Sequence, residues 1–196
     1  MTVTAADLDV VLGCFDHALR PVVDRDWTRP AGDVEWDCRH TAEHVGDCLL
    51  SYAAQLVTAP AGQYVRLLGT VEDGASNAEA LDVALTGGRL LAAAVRATGP
   101  DVRAYHPTGR ADAEGFAAMG CVEALMHGED IATGLGVPEA IDPPRDVCAR
   151  VLARLFPEQD VEGDAWQALR WCAGRIELPG RPRRIGWKWR GAPLCE

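Results

Sequence analysis

The stretch Glu123-Ala124-Leu125-Met126-His127-Gly128-Glu129-Asp130-Ile131-Ala132 decides how this chain is read. It lies in a segment from Asp112 to about Leu135 that contains no proline and closes at Gly136 and Pro138, which predicts one long helix. On that helix Glu123 and His127 stand one turn apart, roughly 6 Å along the axis, and Asp130 shares the face of His127. Val122, Leu125 and Met126 supply apolar surface beside them.

Upstream, Trp36-Asp37-Cys38-Arg39-His40-Thr41-Ala42-Glu43-His44-Val45-Gly46-Asp47 repeats part of the arrangement, with Asp47 three residues after His44. Asp37 reads as an N-cap, and Val45, Leu49, Tyr52, Ala53 and Leu56 line one side of a helix that stops near Ala59-Pro60. Four further helices flank these two. Thr4 with Asp7 resembles a capping box opening a helix that ends near Trp27 and Pro30, and Ser76 with Glu79 opens another, with Gly87-Gly88 a soft spot inside it. Pro143-Pro144 introduces a fifth helix closed by Pro157, and a sixth runs from about Gly163 to Gly174. The tail from Ile176 is basic and rich in Pro, and Trp187-Lys188-Trp189 alternates like a short strand. The pattern predicts an all-α protein: an antiparallel four-helix bundle over 1–140, with short connections, and a C-terminal extension over 141–196 packed onto it as one structural domain.

The chain has 196 residues, 48% of them apolar, and a net charge of -10. That length buries a good core, and the charge speaks against nucleic acid or an anionic membrane as partner. No apolar run approaches the ~20 residues that cross a bilayer, and Met1-Thr2-Val3-Thr4 opens without a signal-peptide pattern, so a cytoplasmic location is expected. Seven scattered cysteines, Cys195 among them, show no Cys-x-x-Cys. They read as small buried hydrophobes in a reducing compartment rather than a disulfide framework. Self-association as a homodimer is left open.

Two histidines and a carboxylate from two helices can hold a metal and leave one coordination position open. Taken singly, each helix is equally well read as a solvated polar stripe. The recurrence of His-x-x-Asp on both favours the metal, because a ligating imidazole needs an acceptor for its second nitrogen. Asp47 and Asp130 are placed for that role. His40 falls in the first turn and reads as a rim residue. Arg103 and His106, in the loop before the long helix, are candidates for binding an anionic cosubstrate or moving a proton, or are simply loop surface. Cys38 sits at a helix start, where a thiolate is favoured, but reads better as a structural thiol. The tail forms either a pocket wall or Arg and Trp stems laid across the bundle.

With these residues in place, the chain resembles the mycothiol-dependent maleylpyruvate isomerase family, a branch of the DinB-like or YfiT-like metal-binding four-helix bundles. Trp36 to Asp47 is similar to its first signature, and Glu123 to Ala132 with Gly134-Leu135-Gly136 to its second. Ser51 to Leu56 and Arg150 to Pro157 also fit. The resemblance implies a divalent metal, zinc with nickel or iron as alternatives, on His44, Glu123 and His127. It also implies mycothiol as thiol cosubstrate, and S-transfer or thiol-assisted isomerisation of an electrophilic small molecule. Because the isomerase itself carries a larger C-terminal domain, an electrophile other than maleylpyruvate is expected. Two rivals stand beside this reading: a stress or resistance protein that holds metal or ligand without turnover, and a non-haem iron oxygenase, whose ligand set is also two His and a carboxylate.

Overall fold

A computed structural model describes residues 2–160 and 162–194, so Cys195 lies outside the described residues. Six α-helices follow in order: α1 (Ala5–Leu19), α2 (Cys38–Thr58), α3 (Asn77–Ala97), α4 (Ala113–Gly134), α5 (Arg145–Leu155) and α6 (Ala165–Cys172). Each of the first four begins where a side-chain oxygen can satisfy an orphan amide. Thr4 and Ser76 make full capping boxes with Asp7 and Glu79, while Asp37 and Asp112 accept from the amides of His40 and Gly115. α1 ends earlier than the sequence suggests. Pro21 turns its last residues into a 3-10 turn, Arg20–Val22, and Trp27 then folds back into the core with its indole donating to the Val22 carbonyl at 3.0 Å.

The four long helices form a bundle in which α1 and α2 are not the principal neighbours. α1 packs on α3 and α4, and α2 packs on the same two. α4 is buried almost all round, with Phe116, Met119, Leu125 and Ile131 fully inside, as expected of a helix that is apolar on every side. The connections 20–37, 59–76 and 98–112 are long rather than short, and they carry Trp36, Gly69 and His106 over one side of the bundle.

Gly87 is no soft spot. A Cβ there would stand 2.6 Å from the Gly46 carbonyl oxygen, so α2 and α3 cross at backbone contact, two residues from His44. At Gly120 on α4 a Cβ would meet a Leu91 side-chain methyl at 2.7 Å, so Leu91 of α3 packs close against the α4 backbone.

The C-terminal segment lies against α4. α5 packs on α4 and on α6. Arg154, 2% exposed, donates to the carbonyls of Arg190 and Gly191 and to Asp112, tying the tail to the start of α4. The expected strand at Trp187–Trp189 does not form: among the described residues the segment is irregular and pairs with no strand. The tail packs by its stems instead. The Arg184 guanidinium lies over Phe156 and Trp171, and Trp187 and Trp189 pack against each other. Among the described residues no helix is long and apolar enough to cross a membrane.

Candidate metal centre

The α2–α4 packing brings the two histidine stretches together. Glu123 Oε2 lies 3.7 Å from His44 Nε2 and 3.4 Å from His127 Nε2. The two imidazoles meet edge to face, centroids 5.0 Å apart. Two ligands at about 2.0–2.1 Å from a tetrahedral zinc ion lie roughly 3.3–3.4 Å from one another. The His127–Glu123 separation matches that span and the His44–Glu123 separation is a few tenths of an ångström longer, so each histidine stands near enough to share an ion with Glu123. Glu123 Oε1 is taken by the Tyr52 hydroxyl, which donates to it at 3.3 Å, leaving Oε2 on the histidine side.

Burial alone would raise the Glu123 carboxyl, but hydrogen bonds from His127 and His44 overcome it and hold the group well below the usual carboxylate range. Burial likewise opposes charge on His127, yet hydrogen bonds with Asp130 and Glu123 lift it to about 9. A buried carboxylate paired with two imidazoles is an electrostatic arrangement into which a divalent cation can substitute for protons.

The aspartates behave differently from each other. Asp130 Oδ2 lies 3.1 Å from His127 Nδ1, so it occupies the position from which an acceptor fixes an imidazole tautomer. Asp47 is engaged elsewhere: its Oδ1 accepts from the Gly69 amide at 2.6 Å, pinning the 59–76 connection to α2. An i, i+3 spacing places two residues on one face but leaves the rotamer free, and the backbone amide takes this carboxylate. His40 is 70% exposed beside Asp37, in keeping with a rim position. Cys38 is buried, directed at the carbonyls of Pro30 and Ile131, and burial pushes it up to about 11, so it is a structural thiol.

Arg103 and His106 are not at the centre. Arg103 donates to the carbonyls of Pro100 and Val102. His106 is buried among Tyr52, Tyr64, Phe116 and Trp189, its Nδ1 2.8 Å from the Thr108 hydroxyl. Desolvation there holds it down to about 4, that is, neutral. It is linked to the site by Tyr52, which touches both His106 and Glu123.

Three residues at the site were not singled out in sequence. Trp36 lies beside the His44 ring, centroids 4.8 Å apart, and is 43% exposed. Arg175, just past α6, grips Asp130 through two bonds, Nε to Oδ1 at 3.0 Å and Nη2 to Oδ2 at 2.8 Å. Nothing local in the sequence signals it. Cys48 groups with His44 and Glu123, each offering a donor atom within 4.8 Å of the others. Its four-residue spacing from His44, equal to that of His127 from Glu123, was a legible signal.

A family model, the mycothiol maleylpyruvate isomerase N-terminal domain, matches residues 13–132. The match spans most of the chain, from within α1 to the last turn of α4, and includes all the candidate ligands. The chain belongs to this family. No curated protein and no solved structure matches.

Proposed function

We propose that this member of the mycothiol maleylpyruvate isomerase N-terminal domain family is a metal-dependent thiol S-transferase or thiol-dependent isomerase. It would use a low-molecular-weight thiol, mycothiol, on an electrophilic small molecule. His44, Glu123 and His127 would hold the divalent cation, zinc by preference. The observation that carries this is the approach of one Glu123 oxygen to the Nε2 atoms of two histidines, one on each of two facing helices, at 3.7 and 3.4 Å.

When bound, such an ion lowers the pKa of a coordinated thiol and so supplies a thiolate at neutral pH. The chain's own residues do the rest. Glu123 contributes the negative charge, with Tyr52 fixing its other oxygen. Asp130 orients His127 and is itself held by Arg175. Trp36 covers the His44 side and offers an apolar surface to an incoming cosubstrate. The neutral His106 and its aromatic neighbours back Tyr52 and keep that side of the site dry.

The test pairs elemental analysis of purified protein with a titration of mycothiol against glutathione and cysteine. One equivalent of metal and preferential binding of mycothiol are expected. Loss of both in His127→Ala is also expected; that variant keeping stoichiometric metal and full thiol transfer would sink the proposal. A second reading, a metal-holding protein without turnover, draws on Cys48, since a thiol grouped with His44 and Glu123 could occupy a coordination position. Thiol consumed only in proportion to protein, never beyond it, would favour that reading.

A further inference from the structure

Asp47 and Gln55 both lie on α2, and neither takes part in the centre described above. Each holds the same short segment of the 59–76 connection. Asp47 Oδ1 accepts from the Gly69 amide at 2.6 Å, and Gln55 Oε1 accepts from the Val65 amide at 2.9 Å. Gln55 is fully buried, and its Nε2 donates to the Tyr105 carbonyl at 2.7 Å. One side chain thus joins both the 59–76 and the 98–112 connections to α2.

The spacing makes these bonds a clasp. From Asp47 to Gln55 the helix rises about 12 Å. The chain from Val65 to Gly69 reaches about 13–14 Å when fully extended. It gives up part of that reach to a turn in which the Leu67 amide donates to the Val65 carbonyl at 2.9 Å. The segment is therefore a strap laid along α2 with little slack. At Gly69 it touches the helix, since a Cβ there would stand 3.0 Å from Leu50 Cδ2 and 3.5 Å from Asp47 Cα.

The strap lies beside the centre. Gln55 follows His44 by about three turns, so the two share one line along α2, and Asp47 stands about 60° to one side of it. Trp36 meets the His44 ring within the same turn that carries Asp47. At the other end of the strap Tyr64 meets His106 edge-on, centroids 6.1 Å apart, and His106 meets Tyr52, which donates to Glu123. Tying down a long loop needs no functional reason by itself. Here, however, a buried amide is used where an apolar side chain would be cheaper to bury, and Leu67 and Leu68 stay exposed on the strap, so the clasp adds little to the core.

We propose that residues 64–69 form a fixed wall of the groove that holds the body of the low-molecular-weight thiol beside the centre, with Asp47 and Gln55 as its positioning residues. This rests on the thiol-dependent reading above and deepens it. Asp47 then acts on the thiol's seat and not on the His44 ring.

The experiment uses the full chain loaded with zinc. Asp47→Ala and Gln55→Leu should each weaken mycothiol binding in calorimetry by about five- to tenfold, as expected for one lost hydrogen bond, while zinc affinity in a chelator competition stays that of the wild type. Asp47→Asn keeps an oxygen for the Gly69 amide and should bind mycothiol as the wild type does. Trypsin reads the strap directly, because Arg66 is exposed on it: cleavage there should be slow in the wild type and Asp47→Asn and fast in the other two variants. Should Gln55→Leu fail to fold, Asp47→Ala decides. Undiminished mycothiol affinity in the variants, zinc affinity falling in step with it, or equal trypsin rates throughout each overturns the wall and leaves the proposed function standing. Failure of the wild type to bind zinc or mycothiol overturns both.

Discussion

Replacing Arg175 with Met tests whether the C-terminal segment supports the metal centre from outside the bundle. The Asp130 side chain is 5% exposed and that of Arg175 18%. The pair is bidentate, with bonds of 3.0 and 2.8 Å. Removing one partner of a buried ion pair costs about 3–5 kcal/mol, because the other charge is left uncompensated. Asp130 keeps its contact with His127 at 3.1 Å, so the lower end applies, about 3 kcal/mol. For a chain of this size that lowers Tm by about 6–12 °C.

The loss has a second readout. With Arg175 gone, nothing fixes the rotamer through which Asp130 holds the His127 ring, and partners of that kind are worth about 10–100-fold in metal affinity. Thermal unfolding of metal-free protein by circular dichroism measures the first effect, and a zinc competition titration the second. Arg175→Lys should recover part of the stability but little of the affinity, since an ammonium cannot reproduce the two-bond fork. A melting temperature and zinc affinity for Arg175→Met indistinguishable from wild type would refute the reasoning outright.

Two further outcomes are expected. Gly87→Ala places a Cβ 2.6 Å from the Gly46 carbonyl oxygen. Helix propensity favours the change by about 1 kcal/mol, overpacking opposes it by about 1–3 kcal/mol, and net destabilisation with weakened zinc binding is expected in denaturant melts and titration; a stabilised variant would show that α2 and α3 separate freely. His106 is held neutral, down to about 4 by burial. The unfolded chain takes up a proton below about pH 6.5, so stability is full above that pH and lost as it falls toward 4, by up to about 3 kcal/mol. His106→Gln, compared with wild type in metal-free urea melts at pH 7 and pH 4, should remove that part of the pH dependence, and parallel losses in both proteins would refute it.

Much of this protein is local in origin, and therefore legible in one dimension. Capping boxes at Thr4 and Ser76, caps at Asp37 and Asp112, and prolines at 60, 138 and 157 mark helix ends because each acts within one turn of the chain. The pairs Glu123–His127 and His127–Asp130 were legible for the same reason: helical period alone fixes their proximity. Cys48 carried the same period and was overlooked because burial is the commoner fate of a lone thiol. Asp47 shows the limit of such reasoning, since spacing allowed it to reach His44 while the Gly69 amide, brought in by a long connection, takes its carboxylate. The strand expected at Trp187–Trp189 failed on the same ground, because alternation needs a partner strand and the tail finds helix α5 and the loop at Thr108 instead.

The sequence by itself therefore determined the helices, their polar faces and the family to which those faces belong. Only the tertiary structure decided which faces meet. The 3.7 Å approach of His44 to Glu123 exists because Gly46 and Gly87 let α2 settle against α3 and beside α4. Arg175 reaches Asp130 from 45 residues away. Contacts of that kind are set by how whole elements pack, and no spacing along the chain encodes them.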